Sequence, residues 1–231
     1  MGIIIKDLTK KYGDQLALNK VSFSIDQGEV VGLLGPNGAG KSTLMKSITN
    51  AINPDSGEIL VNNSSVRENP IETKKQIGFL QENNPLYMEM FVKEYLQFVM
   101  NIHGLKKERV EEVIKMVGLT PERHKKIHQL SKGYKQRVGL AQSILSNPEI
   151  LILDEPTNGL DPNQILEIRD LIREISKDKT IILSTHIMQE VEALCSRVIL
   201  LNKGEIVADQ PIEEFKGQYK SLEEAFQALT K

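Results

Sequence analysis

An internal disulfide is excluded at once, because the 231 residues include a single cysteine, Cys195. That fits a reducing compartment. Cys195, set in EALCSRVIL, reads as a small buried apolar residue. Long apolar runs are lacking too: none approaches the roughly 20 residues that cross a bilayer. The start, MGIIIKDLTKKYG, shows neither the apolar stretch nor the small-residue cleavage site of a signal peptide. A soluble, cytosolic protein is expected. Charge of one sign is not in excess: 29 Lys and Arg face 31 Asp and Glu, a net charge of −2. No broad basic face for nucleic acid is therefore expected. No C-x-x-C spacing occurs, and a structural metal site is not expected. Of the four histidines, His103, His124 and His128 read as surface residues. There is no internal repeat and no low-complexity segment.

What is present is an ordinary globular composition, 40% hydrophobic and 26% charged, on a chain long enough for one sizeable core. Strand-like pieces open it: Ile3 to Ile5, Val21 to Ile25 and Glu29 to Leu34. A Gly-rich turn and a helical run from Lys41 to about Ile48 follow. Glu58 to Val61 and Gln76 to Leu80 read as further strands. From about 85 to 147 the pattern is helical, with apolar faces at Val92, Tyr95, Leu96 and Val99 and at Val110, Val113, Ile114 and Val117. Alternation then returns: strand Ile150 to Leu153, helix Gln164 to Ser176, strand Thr180 to Ser184, helix Met188 to Leu194, strand Arg197 to Leu201. Short apolar strands alternating with helices predict a parallel sheet covered on both faces, with the helical block as an insertion. The tail, Ser221 to Leu229, pairs a capping box, Ser221 and Glu224, with an apolar stripe, and reads as a docked helix.

The strongest motif is Gly35-Pro36-Asn37-Gly38-Ala39-Gly40-Lys41-Ser42-Thr43, which matches G-x-x-x-x-G-K-[ST] between a strand and a helix. Its glycines let successive backbone N–H groups point at phosphate oxygens, and the helix N-terminus adds its dipole. Lys41 would reach the β- and γ-phosphates, and Ser42 would hold Mg²⁺. Ile150-Leu151-Ile152-Leu153-Asp154-Glu155-Pro156 supplies an acidic pair at the end of an apolar strand. Asp154 would bind Mg²⁺, and Glu155 is the candidate general base for an attacking water. Leu183-Ser184-Thr185-His186 ends another such strand. His186 is the one histidine placed to meet a γ-phosphate or the water. Asn202-Lys203-Gly204-Glu205 comes close to a guanine-reading N-K-x-D but ends in Glu. It lies between two strand-like runs and reads as a hairpin turn.

One further stretch stands out. LSKGYKQR, Leu130 to Arg137, opens a helix that runs to Asn147-Pro148. A helix start is already partly positive and favours acidic side chains. This one offers Ser131 at the N-cap, Gly133 as bare backbone, and the cations Lys132, Lys135 and Arg137. An anion arriving there would account for the pattern. Lys135 and Arg137 are read as lying on the helix surface.

Together these motifs resemble one family, the ATP-binding subunits of ABC transporters, over nearly the whole chain and in the family order. GPNGAGKST looks like the Walker A loop, LILDEP like Walker B, and LSKGYKQR like the signature motif. Asn158-Gly159-Leu160-Asp161 looks like the D-loop, His186 like the switch histidine, and Tyr12 like the aromatic that stacks on adenine. The resemblance implies an α/β fold with a P-loop NTPase (RecA-like) core, an N-terminal antiparallel β subdomain and an inserted α-helical subdomain. It implies a single ATP-binding domain over 1–231, with core 1–84 and 148–231 and helical subdomain about 85–147. It further implies ATP and Mg²⁺, ATP hydrolysis, a second ATP-binding subunit, and a separate integral membrane subunit at the inner face of the cell membrane. In this family the signature residues Ser131, Lys132, Gly133 and Tyr134 would meet the γ-phosphate held by the partner, in trans. Two departures are visible. The usual signature is L-S-G-G-Q, whereas here Lys132 replaces a Gly and Tyr134 replaces the Gln. At the Q-loop, IGFLQENNPLY offers Gln81 or Glu82, with Glu82 in the better register as a Mg²⁺ or water ligand. The segments ENPIETKKQIGF, NNPLYMEMFVKEYL and STHIMQEVEALCSRV are most similar to the subunit associated with bacterial gliding motility, whose wider relatives are exporter ATPases. A soluble ABC protein acting on ribosomes, DNA or an assembly partner is the alternative role.

Overall fold

The computed structural model describes residues 2–230. A hairpin of two long strands, β1 (Ile3–Tyr12) and β2 (Gln15–Ile25), comes first. Both run further than their apolar centres suggest, because they pair with each other up to Tyr12 and Gln15. Then come β3 (Val30–Leu34), α1 (Lys41–Ile48), β4 (Ser56–Val61) and β5 (Ser64–Ser65). A short helix not expected from the sequence, α2 (Pro70–Gln76), precedes β6 (Ile77–Leu80). Pro70 begins it, where proline's missing N–H costs nothing. The inserted block holds α3 (Val92–Ile102), α4 (Glu108–Met116) and α5 (Lys132–Ile144). The chain closes with β7 (Ile150–Asp154), α6 (Pro162–Ser176), β8 (Thr180–Ser184), α7 (Met188–Leu194), β9 (Arg197–Asn202), β10 (Glu205–Pro211), α8 (Ile212–Lys216) and α9 (Leu222–Thr230).

Two sheets result. One is antiparallel, in the order β2-β1-β4-β5, and the other has the order β10-β9-β3-β8-β7-β6. The second is parallel from β9 to β6, with β10 added antiparallel through the Lys203-Gly204 hairpin turn. Both turn residues have positive φ, so the segment is the tight hairpin expected rather than a guanine reader.

The parallel strands are apolar on both faces, and their period of two sorts side chains into different clusters. In β7, Ile150 and Ile152 face a core shared with the antiparallel sheet and with Leu44, Met45 and Ile48 of α1. Leu151 and Leu153 face the other way, into a core shared with α3, α4, α5 and α6. A third cluster seats α7, α8 and α9 on β3 and β9 through Leu34, Val198 and Leu200. One face of the parallel sheet is thus covered by helices. The other is covered by α1 and a second sheet. The inserted helices have no separate core, since one cluster runs from Val92 and Val113 through Leu140 to Leu153.

Candidate active site

The C-terminal ends of parallel strands open on one edge of a sheet, and ligands bind beyond them. Here β3 ends at Leu34, before Gly35, and β7 and β8 end in register at Asp154 and Ser184. The three ends converge on a cleft of about 450 Å³. Tyr12, Gln15, Ala17, Asn37 to Thr43, Glu82, Asp154, Glu155 and Ser184 line it. Most of the nucleotide-site residues expected from sequence therefore meet in one place. Gln15 and Ala17 join them without any motif, carried to Tyr12 by the pairing of β2 against β1, and Ser184 joins from the stretch that ends in His186.

The loop from Gly35 to Gly40 needs bare backbone for two reasons. Gly35 and Gly40 have φ of 153° and 108°. A Cβ on either would also strike a backbone carbonyl, that of Leu201 or Ala17. Gly40 is the N-cap of α1, so no side chain caps that helix, and its first turn holds no acidic residue. The free N–H groups and the dipole face the cleft.

Lys41 lies across the loop, its Nζ donating to the carbonyl oxygens of Gly35 at 2.5 Å and Pro36 at 3.2 Å. Burial pushes its pKa down, opposed by the carboxylates of Glu155, Asp154 and Glu82. Burial likewise pushes Asp154 up, opposed by the hydrogen bond from the Ser42 hydroxyl to Oδ2 at 3.2 Å. Glu155 is also raised by burial, opposed by His186, whose Nδ1 is 2.7 Å from Oε2. Glu155 has φ of 51°, a sparsely populated backbone state for a non-glycine residue. Its N–H donates to Ser184 O at 2.9 Å, which ties it to β8.

Three carboxylates around one lysine leave the cleft with surplus negative charge, which suits a divalent cation. The adjacent oxygens of Ser42 and Asp154 are hard donors of the kind Mg²⁺ takes. No cluster of three or more His, Cys, Asp or Glu at ligand distances exists among the described residues.

At the Q-loop, Glu82 lines the cleft and Gln81 does not. Glu82 Oε1 accepts from Asn158 Nδ2 at 3.3 Å. Tyr12 is half exposed at the end of β1, with Lys10 Nζ 5.5 Å from its ring centroid. Asp161 caps α6, accepting from Gln164 N at 3.0 Å.

The signature residues lie elsewhere: none of Ser131, Lys132, Gly133 and Tyr134 lines this cleft. Ser131 is the N-cap of α5, accepting from Tyr134 N at 3.4 Å. The Lys132 ammonium rests over Gly159, and the Gln164 amide lies over Gly133. Arg137 departs from the surface role expected of it. Its guanidinium donates to Val117 O at 2.8 Å and pairs with Glu167, joining α5 to α4 and α6. A cation one turn into a helix gives no signal of that inward reach. His103, His124 and His128 are exposed, as expected.

Comparison with known proteins gives the family. The family model described as ABC transporter matches residues 18–158. An uncharacterised ABC transporter ATP-binding protein of Bacillus subtilis, YhcH, is 37% identical over 98% of this chain and 77% of its own length. The bacitracin transport ATP-binding protein BcrA of Bacillus licheniformis is 39% identical over 94% of this chain and 72% of its own. A solved ATP-binding subunit of an ABC transporter superposes with a TM-score of 0.91 at 32% identity, over 100% of both chains. A dimeric ATP-binding cassette in a post-hydrolysis state, bound to ADP and Pi, superposes at 0.83 with 27% identity, over 91% of this chain and 98% of that one. The chain belongs to the ABC transporter family as one of its ATP-binding subunits. It is an ATPase of that class, using ATP and Mg²⁺ on the α/β scaffold described.

Proposed function

We propose that this chain is one of a pair of ATP-binding subunits that drive a separate integral membrane subunit of a transporter, in the direction of export. The observation that carries the proposal is that the two anion-seeking helix starts sit on one chain but not in one cleft. Two chains placed head to tail bring Ser131, Lys132, Gly133 and Tyr134 of one to the cradle of the other. The export direction rests on relatives such as the bacitracin transport protein. Gliding motility would be one process served by such a machine.

Within the pair, Tyr12 stacks on the adenine, and the loop from Gly35 to Thr43 binds the phosphates through backbone N–H groups and Lys41. Ser42 and Asp154, with Glu82 close by, would hold Mg²⁺, which when bound neutralises charge on the phosphate oxygens. Glu155 takes the proton of the attacking water, and His186 orients that carboxylate through the 2.7 Å contact. Asp161 stands at the D-loop, between the cradle and the partner. With the γ-phosphate cleaved, α5 of the partner loses the anion at its N-terminus and the pair opens, a two-state element biased by one group. The inserted helices between about 85 and 147 carry this motion outward. There Tyr87, Met88, Phe91, Phe98 and Ile102 are exposed, with Tyr87 stacked edge-on against Phe98. That apolar patch suits a cytoplasmic segment of the membrane subunit. No helix among the described residues is itself long and apolar enough to cross a membrane.

Affinity purification of the chain from detergent-solubilised membranes tests the proposal. A co-purifying protein with several membrane-spanning helices is expected. Recovery of ribosomes, nucleic acid or soluble proteins alone would refute it in favour of a soluble ABC protein.

A further inference from the structure

Glu190 is 1% exposed, and its Oε1 is buried without a hydrogen-bond partner. A buried polar atom left unpaired costs stability, so a carboxylate here needs a reason beyond packing. The reason lies at its other oxygen. Glu190 Oε2 accepts from the Thr185 hydroxyl at 2.7 Å. The same Thr185 oxygen, on a residue 2% exposed, accepts from the backbone N–H of Ile187 at 3.1 Å. The Glu190 N–H in turn donates to Ile187 O at 3.0 Å. These bonds grip the residues on both sides of His186. The His186 ring itself is largely exposed, and its one hydrogen bond among the described residues is to Glu155. The base of the grip is firm. α7 lies so close to β3 that a Cβ on Gly32 would stand 3.1 Å from Val191 Cγ1 and 3.4 Å from Cys195 Sγ.

We propose that Thr185 and Glu190 are positioning residues for ATP hydrolysis: Glu190 holds the Thr185 hydroxyl, and Thr185 holds the turn from which His186 meets Glu155. The proposal rests on the roles given above to Glu155 and His186. A purely local role in starting α7 predicts a loss of stability that is indifferent to His186. Positioning predicts a loss of turnover that vanishes once the His186 ring is removed.

The test uses the full chain, with single-turnover ATP hydrolysis, binding of a fluorescent ATP analogue, and thermal melting as the check on folding. Thr185→Ala should lower turnover about tenfold with nucleotide affinity within about twofold, and Thr185→Ser should restore turnover. In a His186→Ala background, Thr185→Ala should cost less than about twofold more. If Thr185→Ala does not fold, the near-isosteric Glu190→Gln takes its place. By weakening a charge-assisted bond it should lower turnover about threefold, again only when His186 is present. Unchanged turnover in the folded variants, or an equal loss with and without His186, would overturn the positioning role and leave His186 as assigned. Unchanged turnover in His186→Ala alone would instead overturn the role of His186.

Discussion

The starts of α1 and α5 make an instructive pair. Each helix has no acidic residue in its first turn, each keeps glycine beside its N-terminus, and each carries lysine there. By elementary electrostatics both ask for an anion. They differ in their surroundings. The α1 start faces Asp154, Glu155 and Glu82 across a cleft, so it has groups for binding and for chemistry. The α5 start meets the backbone at Gly159, Gln164 of α6 and the Asn84 amide. The α1 start therefore opens on an acidic cleft, and under the proposed function the α5 start is presented to the partner chain.

The sharpest way to break this contrast is at the chemical group that α5 lacks. Glu155→Gln should cut single-turnover hydrolysis by about a thousandfold while ATP binding persists and the ATP-bound dimer accumulates on size-exclusion chromatography. Wild-type turnover would remove Glu155 from the mechanism. Next in size is Gly40→Ala, which sets a Cβ against the Ala17 carbonyl in a left-handed backbone and should weaken nucleotide binding about a hundredfold. Its counterpart Gly133→Ala meets the far end of the Gln164 side chain and should leave monomer binding unaltered while impairing dimerisation. Equal effects on monomer binding, read by isothermal titration, would erase the distinction between the two helix starts. Tyr12→Ala should lower affinity for ATP and ADP alike by about tenfold, the usual worth of stacking a base. The smallest effect is expected at Lys132→Ala: dimerisation weakened about threefold, and its salt dependence reduced, with monomer ATP affinity unchanged. Sedimentation across a salt series would show whether that charge acts between chains.

The stretches proposed as phosphate cradle, acidic pair and switch histidine stand out as sequence because each is short and contiguous, with chemistry that is local. Apolar runs such as Ile150 to Leu153 marked central strands for the same reason. Gln15 and Ala17 were not legible: they carry no motif, and reach the cleft through the β1–β2 hairpin, whereas Ser184, quoted beside His186, reaches it by pairing of β8 with β7. Arg137 was misplaced because a helix position says nothing about which neighbouring carbonyl a long side chain will find. The helix α2 was missed because seven residues with one buried position, Thr73, give almost no periodic signal. The grip of Glu190 on Thr185 has no sequence signature either.

By itself, then, the chain's order of residues determined the α/β class and the family, and pointed to the groups proposed to bind phosphate and move a proton, since these depend on residue type and short-range spacing. Only the tertiary structure decided that the two helix starts face different places, that Glu82 rather than Gln81 enters the cleft, and that a buried carboxylate stands behind His186. Those outcomes depend on strand order and on which surfaces are brought within a few ångströms of each other, and packing alone settles that.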